Sequence, residues 1–112
     1  LKEKGMIIDN EELALQVIKK SINELLPEST ILLFGSRARR DHSNESDFDL
    51  MVITNESHTA KEIRQIKSIL RKKLAVNKIP ADIFIQSKIE ADINKAINGH
   101  IVRQVFEEGI LV

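Results

Sequence analysis

The sequence contains no cysteine, tryptophan or tyrosine, only two prolines and four glycines, and no net charge. Without cysteine there is no disulfide framework, no thiolate metal site and no cysteine nucleophile. No apolar run approaches the roughly 18 residues of a membrane helix, and no secretory signal opens the chain. A cytoplasmic protein with no membrane contact is therefore expected. Four phenylalanines are the only aromatics. Phe34, Phe48 and Phe84 fall on expected strands and Phe106 on a helix, so all four read as core rather than as a platform for stacked bases. What remains is ordinary for a globular chain: 112 residues, 42% hydrophobic and 30% charged. That length suits one domain over residues 1–112, with little room for a second.

The charges are unevenly spread. From Ser57 to Lys78 stand Lys61, Arg64, Lys67, Arg71, Lys72, Lys73 and Lys78 against one acid, Glu62. Such a stretch can meet phosphates, but on a helix it is more often the solvated face, and direct nucleic-acid binding is not expected.

Periodicity orders the elements as αβ(loop)βαβαα. Leu13, Val17, Ile18, Ile22, Leu25 and Leu26 recur at helical spacing, which predicts a helix from Asp9 to Leu26, capped by Asp9 with Glu12 and stopped by Pro27. Thr30 to Phe34 is a short apolar run ending at Gly35, as a buried strand does. Arg37 to Ser46 is a polar loop whose start can hold a helical turn. Phe48 to Ile53 is a second strand, with Asp47, Asp49 and Met51 on one face and Phe48, Leu50 and Val52 on the other. A long helix is expected over Ser57 to Val76, using Ile63, Ile66, Ile69, Leu70 and Leu74, then a third strand over Ala81 to Gln86. Ser87 and Glu90 form a capping box that opens a helix through Ile89, Ile93 and Ile97 to Gly99. A shorter helix follows from His100 to Glu108, and Ile110-Leu111-Val112 offers an edge strand.

Chemistry concentrates where these elements meet. Asp47 and Asp49 are two apart on a strand, so both carboxylates leave one surface, while Phe48 and Leu50 anchor them. Two carboxylates held together repel, and a cation relieves them. An oxygen-only ligand set selects a hard ion, so Mg²⁺ is the natural partner, with Mn²⁺ a substitute. A lone Asp-x-Asp marks a solvated turn as readily as a metal site. Here Gly35 and Ser36 stand ten residues upstream at a strand end. Gly35 allows close backbone approach to a ligand. Ser36 supplies a hydroxyl and an N–H, and Arg37 and Arg39 add positive charge for a phosphate. Asp82 opens the third strand. If that strand lies beside the second, Asp82 reaches the same ions. In a two-metal site it would bind the second ion and accept the proton of the attacking hydroxyl.

These residues carry a resemblance. Leu33-Phe34-Gly35-Ser36-Arg37-Ala38-Arg39, followed by Ser46-Asp47-Phe48-Asp49-Leu50, resembles the motif of the minimal nucleotidyltransferases, the compact prokaryotic branch of the polymerase-β superfamily. Their pattern is Gly-Ser, ten residues, Asp-x-Asp, and the sequence fits it without a gap. Asp82 in Ala81-Asp82-Ile83-Phe84-Ile85 matches the family's third acid. The stretch Phe106-Glu107-Glu108-Gly109-Ile110-Leu111 is similar to its usual close. The resemblance implies a polymerase-β-like α/β (α+β) fold, a small mixed sheet flanked by helices. It also implies a catalytic and metal-binding set of Asp47, Asp49 and Asp82 holding two Mg²⁺ ions. Gly35, Ser36, Arg37 and Arg39 would hold a nucleoside triphosphate, with ATP the AMP donor. One position departs: relatives commonly carry Gly where Arg40 stands, which bears on how the loop folds over the triphosphate.

Larger relatives carry an added acceptor domain for which this chain has no room. The resemblance therefore implies a protein acceptor, or one bound across the interface of a homo- or hetero-oligomer. Minimal relatives are often antitoxins paired with a helical toxin of the HEPN type, whose tyrosine they are thought to adenylylate. This chain has no tyrosine of its own. Two other readings stand beside this one: a binding subunit that neutralises its partner by contact alone, and a dimeric small-molecule nucleotidyltransferase. His42, His58 and His100 lack metal-ligand spacing and read as surface residues. Ser43 and Ser46 read as loop hydroxyls, with Ser46 steadying Asp47.

Overall fold

Strand β1 (Thr30–Phe34) lies between two antiparallel neighbours, β2 (Phe48–Thr54) and the short β4 (Ile110–Leu111). Strand β3 (Ala81–Ser87) pairs parallel with β2, so the sheet is mixed, in the order β3-β2-β1-β4. This is the computed structural model of the chain, and it describes residues 10–43 and 45–112. Helices fill the connections: α1 (Asn10–Leu25), the one-turn α2 (Gly35–Arg39), α3 (Ala60–Val76), α4 (Lys88–Asn94) and α5 (Ile101–Glu108). The expected cap at Asp9 and the loop residue Asn44 lie outside the described residues.

The sheet is covered on both faces, and β2 shows why its sequence is almost wholly apolar. Phe48, Leu50 and Val52 join Ile18 and Ile22 of α1 and Leu70 and Leu74 of α3 in one core. Met51 and Ile53 point the other way, into a second core with Phe34, Ala91, Val102 and Val105. A strand buried on both faces cannot alternate apolar with polar residues. Only at its start, where the helices no longer cover it, do carboxylates appear.

Three local expectations are corrected. Helix α3 begins at Ala60 rather than Ser57, because Thr59 is the cap. Its side chain accepts from the Glu62 N–H at 3.1 Å, and Glu62 accepts from the Thr59 N–H at 2.8 Å. Helix α4 opens on the expected Ser87–Glu90 box but ends at Asn94, short of Gly99. Its Ile89 and Ile93, and Ile97 beyond its end, are exposed, at 69, 62 and 48%, and Ala91 is the side chain of the helix that meets the core. Phe106 is likewise 46% exposed, whereas Phe34 and Phe48 are buried and Phe84 leans on Phe34 with ring centres 5.8 Å apart.

Candidate active site

The strand register brings the acids together. Asp49 lies opposite Asp82 in the parallel β2–β3 pair and opposite Phe34 in the antiparallel β1–β2 pair. The turn at Gly35, the start of β2 and the start of β3 therefore meet at one end of the sheet. Asp47, just ahead of β2, is exposed, while Asp49 and Asp82 are half-buried.

Gly35 has φ +72°, and a Cβ there would collide with the Asp49 carboxylate. Only glycine meets both demands: a left-handed backbone and a side chain's absence beside a carboxylate. The short α2 then turns back. Arg40 takes the left-handed conformation with φ 67°, and its N–H and that of Asp41 both reach the Ser36 carbonyl. That left-handed backbone is one that glycine adopts without strain. Here the Arg40 side chain reaches Glu11 of α1 at 3.3 Å.

Asp49 records the electrostatics of the site. Burial raises its pKa above the ordinary carboxylate value, the charges of Asp82 and Asp47 raise it further, and Arg39 opposes them. The shift means that Asp49 feels both other acids and the Arg39 cation. Arg39 is held between Asp41 at 3.3 Å and Glu108 at 3.4 Å.

Arg37 is placed apart from this group. Its Nε donates to the Ser46 carbonyl at 3.0 Å, and its guanidinium stacks 3.9 Å from the centre of the Phe48 ring. Phe48 faces the α1–α3 core, opposite to Asp49. Arg37 therefore ties down the loop that delivers Asp47 instead of facing the carboxylates. Nor are the histidines simply surface residues. His100 caps α5, its Nδ1 accepting from the Val102 N–H at 3.1 Å, and His42 stands 3.5 Å from Glu11.

Glu108 escaped the reading of the sequence. Its carboxylate accepts from the Gly35 N–H at 3.3 Å across 73 residues, a contact that local spacing cannot reveal. A cavity of about 750 Å³ is lined by Glu11, Arg37, Arg40, His42 and Phe48 among others and by none of the three aspartates. The aspartates lie instead at the end of the sheet where β2 and β3 start.

The donors suit a hard divalent cation: carboxylate oxygens only, with the pKa of Asp49 raised by burial and by the charges of Asp82 and Asp47, next to a glycine whose missing Cβ leaves room for the Asp49 carboxylate. They do not yet close on one point. Among the described residues no three His, Cys, Asp or Glu side chains form a ready metal-ligating group. Like charges keep such acids apart unless a cation draws them in.

Residues 15–112 match the family of the nucleotidyltransferase domain. The chain belongs to that family. As a nucleotidyltransferase, it is 33% identical over 105 residues to "Putative protein adenylyltransferase MJ0604" of Methanocaldococcus jannaschii, covering 89% of this chain and 95% of that protein. It is 40% identical over 53 residues to "Putative protein adenylyltransferase MJ0141" of the same organism, a match covering 46% of this chain and about half (54%) of that relative's length. In fold it is similar to a chain from a crystal structure of a toxin-antitoxin with AMP-PNP. There the TM-score is 0.58 at 18% identity, over 86% of this chain and 69% of the other. A mutant of the toxin-antitoxin MntA-HpeT gives 0.53 at 16% identity, over 84% and 67%. These likenesses establish the mixed-sheet nucleotidyltransferase fold. Among the described residues no helix is long and apolar enough to cross a membrane.

Proposed function

We propose that this nucleotidyltransferase moves AMP from ATP, with Mg²⁺, to a hydroxyl of a partner protein, as the antitoxin of a toxin–antitoxin pair with a HEPN-type toxin. The observation that carries the reading is the pairing of Asp49 with Asp82 across β2 and β3, with Asp49 against the Gly35 turn and Asp47 two residues before it. The names of its relatives support a protein acceptor, and the fold neighbours support a toxin as that protein. The absence of tyrosine from the sequence suits a tyrosine acceptor on a partner.

In this reading Asp47 and Asp49 would hold Mg²⁺ for the triphosphate, and Asp82 would hold a second ion. When bound, Mg²⁺ supplies charge neutralisation and lowers the pKa of the acceptor hydroxyl. Ser36 and Arg39 orient the phosphates. The acceptor oxygen attacks the α-phosphorus, the bond to the β-phosphate oxygen breaks, pyrophosphate leaves, and the hydroxyl proton passes to the Asp82 carboxylate. Small distances matter, since phosphoryl transfer is governed by alignment and charge more than by covalent help from the protein.

The test is transfer of radiolabelled AMP from ATP into the protein encoded beside this one, with wild type and Asp82→Asn. The variant should still bind ATP and lose transfer by orders of magnitude, with loss of toxin neutralisation. Neutralisation that survives without labelling would instead identify a contact inhibitor. No labelling by wild type with any nucleotide and divalent metal would remove the reading.

A further inference from the structure

We infer that Glu108 is a positioning residue for nucleotide binding, setting the Gly35 turn and the Arg39 guanidinium in the attitude that receives the phosphates. Its Oε1 accepts from three donors: the Gly35 N–H at 3.3 Å, Arg39 at 3.4 Å and the Gln104 side-chain amide at 3.3 Å. The placement follows from the sheet. Strand β4 pairs with β1 in the register Leu32 with Leu111 and Leu33 with Ile110. Continued two residues, that antiparallel register sets Glu108 opposite Gly35. Gly109 makes the short step from α5 into β4 possible, because a Cβ there would meet the Val105 carbonyl oxygen. One carboxylate thus ties the end of α5 to both parts of the turn, and β4 fixes where that carboxylate stands.

The contact also decides which way Arg39 faces. Arg39 ends the helical turn that starts at Gly35, and Asp49 packs against that same Gly35. Without Glu108 its remaining acidic neighbours are Asp41 and Asp49. A guanidinium drawn onto Asp49 would set a fixed cation where a metal ion is wanted and remove a donor from the phosphates. Glu108 therefore holds Arg39 off the metal-binding acid. This inference rests on the proposed nucleotide transfer for its kinetic consequence but not for the contact itself.

The experiment uses the full chain with Glu108→Ala and Glu108→Gln. Glutamine keeps an acceptor oxygen and loses the charge. By NMR hydrogen exchange, Glu108→Ala should speed exchange of the Gly35 amide about tenfold or more, the loss of one hydrogen bond to a charged group, while the other β1 amides keep their protection. Glu108→Gln should restore much of it. In steady-state transfer Glu108→Ala should raise KM for ATP about tenfold and raise the Mg²⁺ concentration needed for half-maximal rate, with kcat altered much less. Glu108→Gln should fall between. A folded Glu108→Ala protein with unchanged KM and Mg²⁺ requirement overturns the inference. So does a lowered KM, which would show Glu108 standing in the phosphates' own place. If wild type proves unable to transfer nucleotide, the proposed function fails, and the exchange arm with ATP dissociation constants still decides the role of Glu108.

Discussion

Asp49 sits where the fold favours its protonated form, and this makes stability depend on pH in a definite direction. Its folded-state pKa is raised, first by burial and then by Asp82 and Asp47. Between the unfolded value of about 4 and the raised one, the native state binds more protons than the unfolded state. Native stability is therefore lost as pH climbs through that window. In metal-free buffer Asp49→Asn should melt above wild type at pH 7, and the gap should shrink toward pH 3, as read by calorimetry. A variant that melts lower at pH 7 would refute the unfavourable ionisation. Added Mg²⁺ should raise the Tm of wild type and leave the variant nearly unmoved, since only the wild type keeps the ligand. Gly35 is the second sensitive residue. Gly35→Ala forces a methyl into a left-handed backbone at about 1–2 kcal/mol and pushes the Asp49 carboxylate aside. The urea midpoint should drop accordingly, and ATP binding should be lost, even under conditions where the variant stays folded. Arg40 shares the left-handed conformation but has open space and an ion pair with Glu11. Arg40→Gly relieves about 1 kcal/mol of strain, gives back a similar amount in unfolded-chain entropy and forfeits a weak exposed pair. Its denaturation midpoint should lie within about 1 kcal/mol of wild type.

At the level of elements, helix ends carry their own energy. Thr59→Ala removes one half of the α3 capping box and should cost about 0.5–2 kcal/mol in chemical denaturation while leaving ATP affinity unchanged, because α3 contributes no residue to the site. The same Thr/Ser-x-x-Glu pattern stands at Ser87 and at Thr59, the latter two residues inside the polar start of the Ser57–Val76 run. The strands were legible to within a residue, since apolar runs bounded by Gly, Pro and polar loops have few alternatives. The spacing of Gly35, Asp47 and Asp49 along the chain was likewise open to view, and the structure sets Asp49 against Gly35. The isoleucines of α4 misled for a physical reason: period reports that a helix has an apolar side, not that anything covers it, and the side that packs is the one bearing Ala91. Arg37 shows the same limit. Its place beside Ser36 is local, but its orientation is set by Phe48, Ser46 and Glu11. Glu108 meets Gly35 through the pairing of β4 with β1, which no window of adjacent residues contains.

The molecule as a whole is built around β2. Leu50 is fully buried in the larger core and stands between Asp49 and Met51, both facing the other way. Leu50→Ala should cost about 2–5 kcal/mol, a large share of the roughly 5–15 kcal/mol available to a domain of this kind. Equilibrium unfolding in urea measures it, and a loss below about 1 kcal/mol would mean that the core closes over the gap. The parallel pairing of β2 with β3 has a further outcome. Residues two apart share a face, so a slip of one position would turn Asp82 to the opposite side and bring Ile83 and Ile85 out of the core. The greasy side of β3 thus acts as a proofreader for its acidic residue: alignment that satisfies the isoleucines is the alignment that sets Asp82 beside Asp49. This pairing also spans the α3 crossover and is among the slower contacts for a chain to make. A newly made copy with β1 and β2 already joined would carry two of the three acids and no competent centre. Catalytic ability would then arrive with the closing contacts of folding, and a half-assembled chain could not spend ATP.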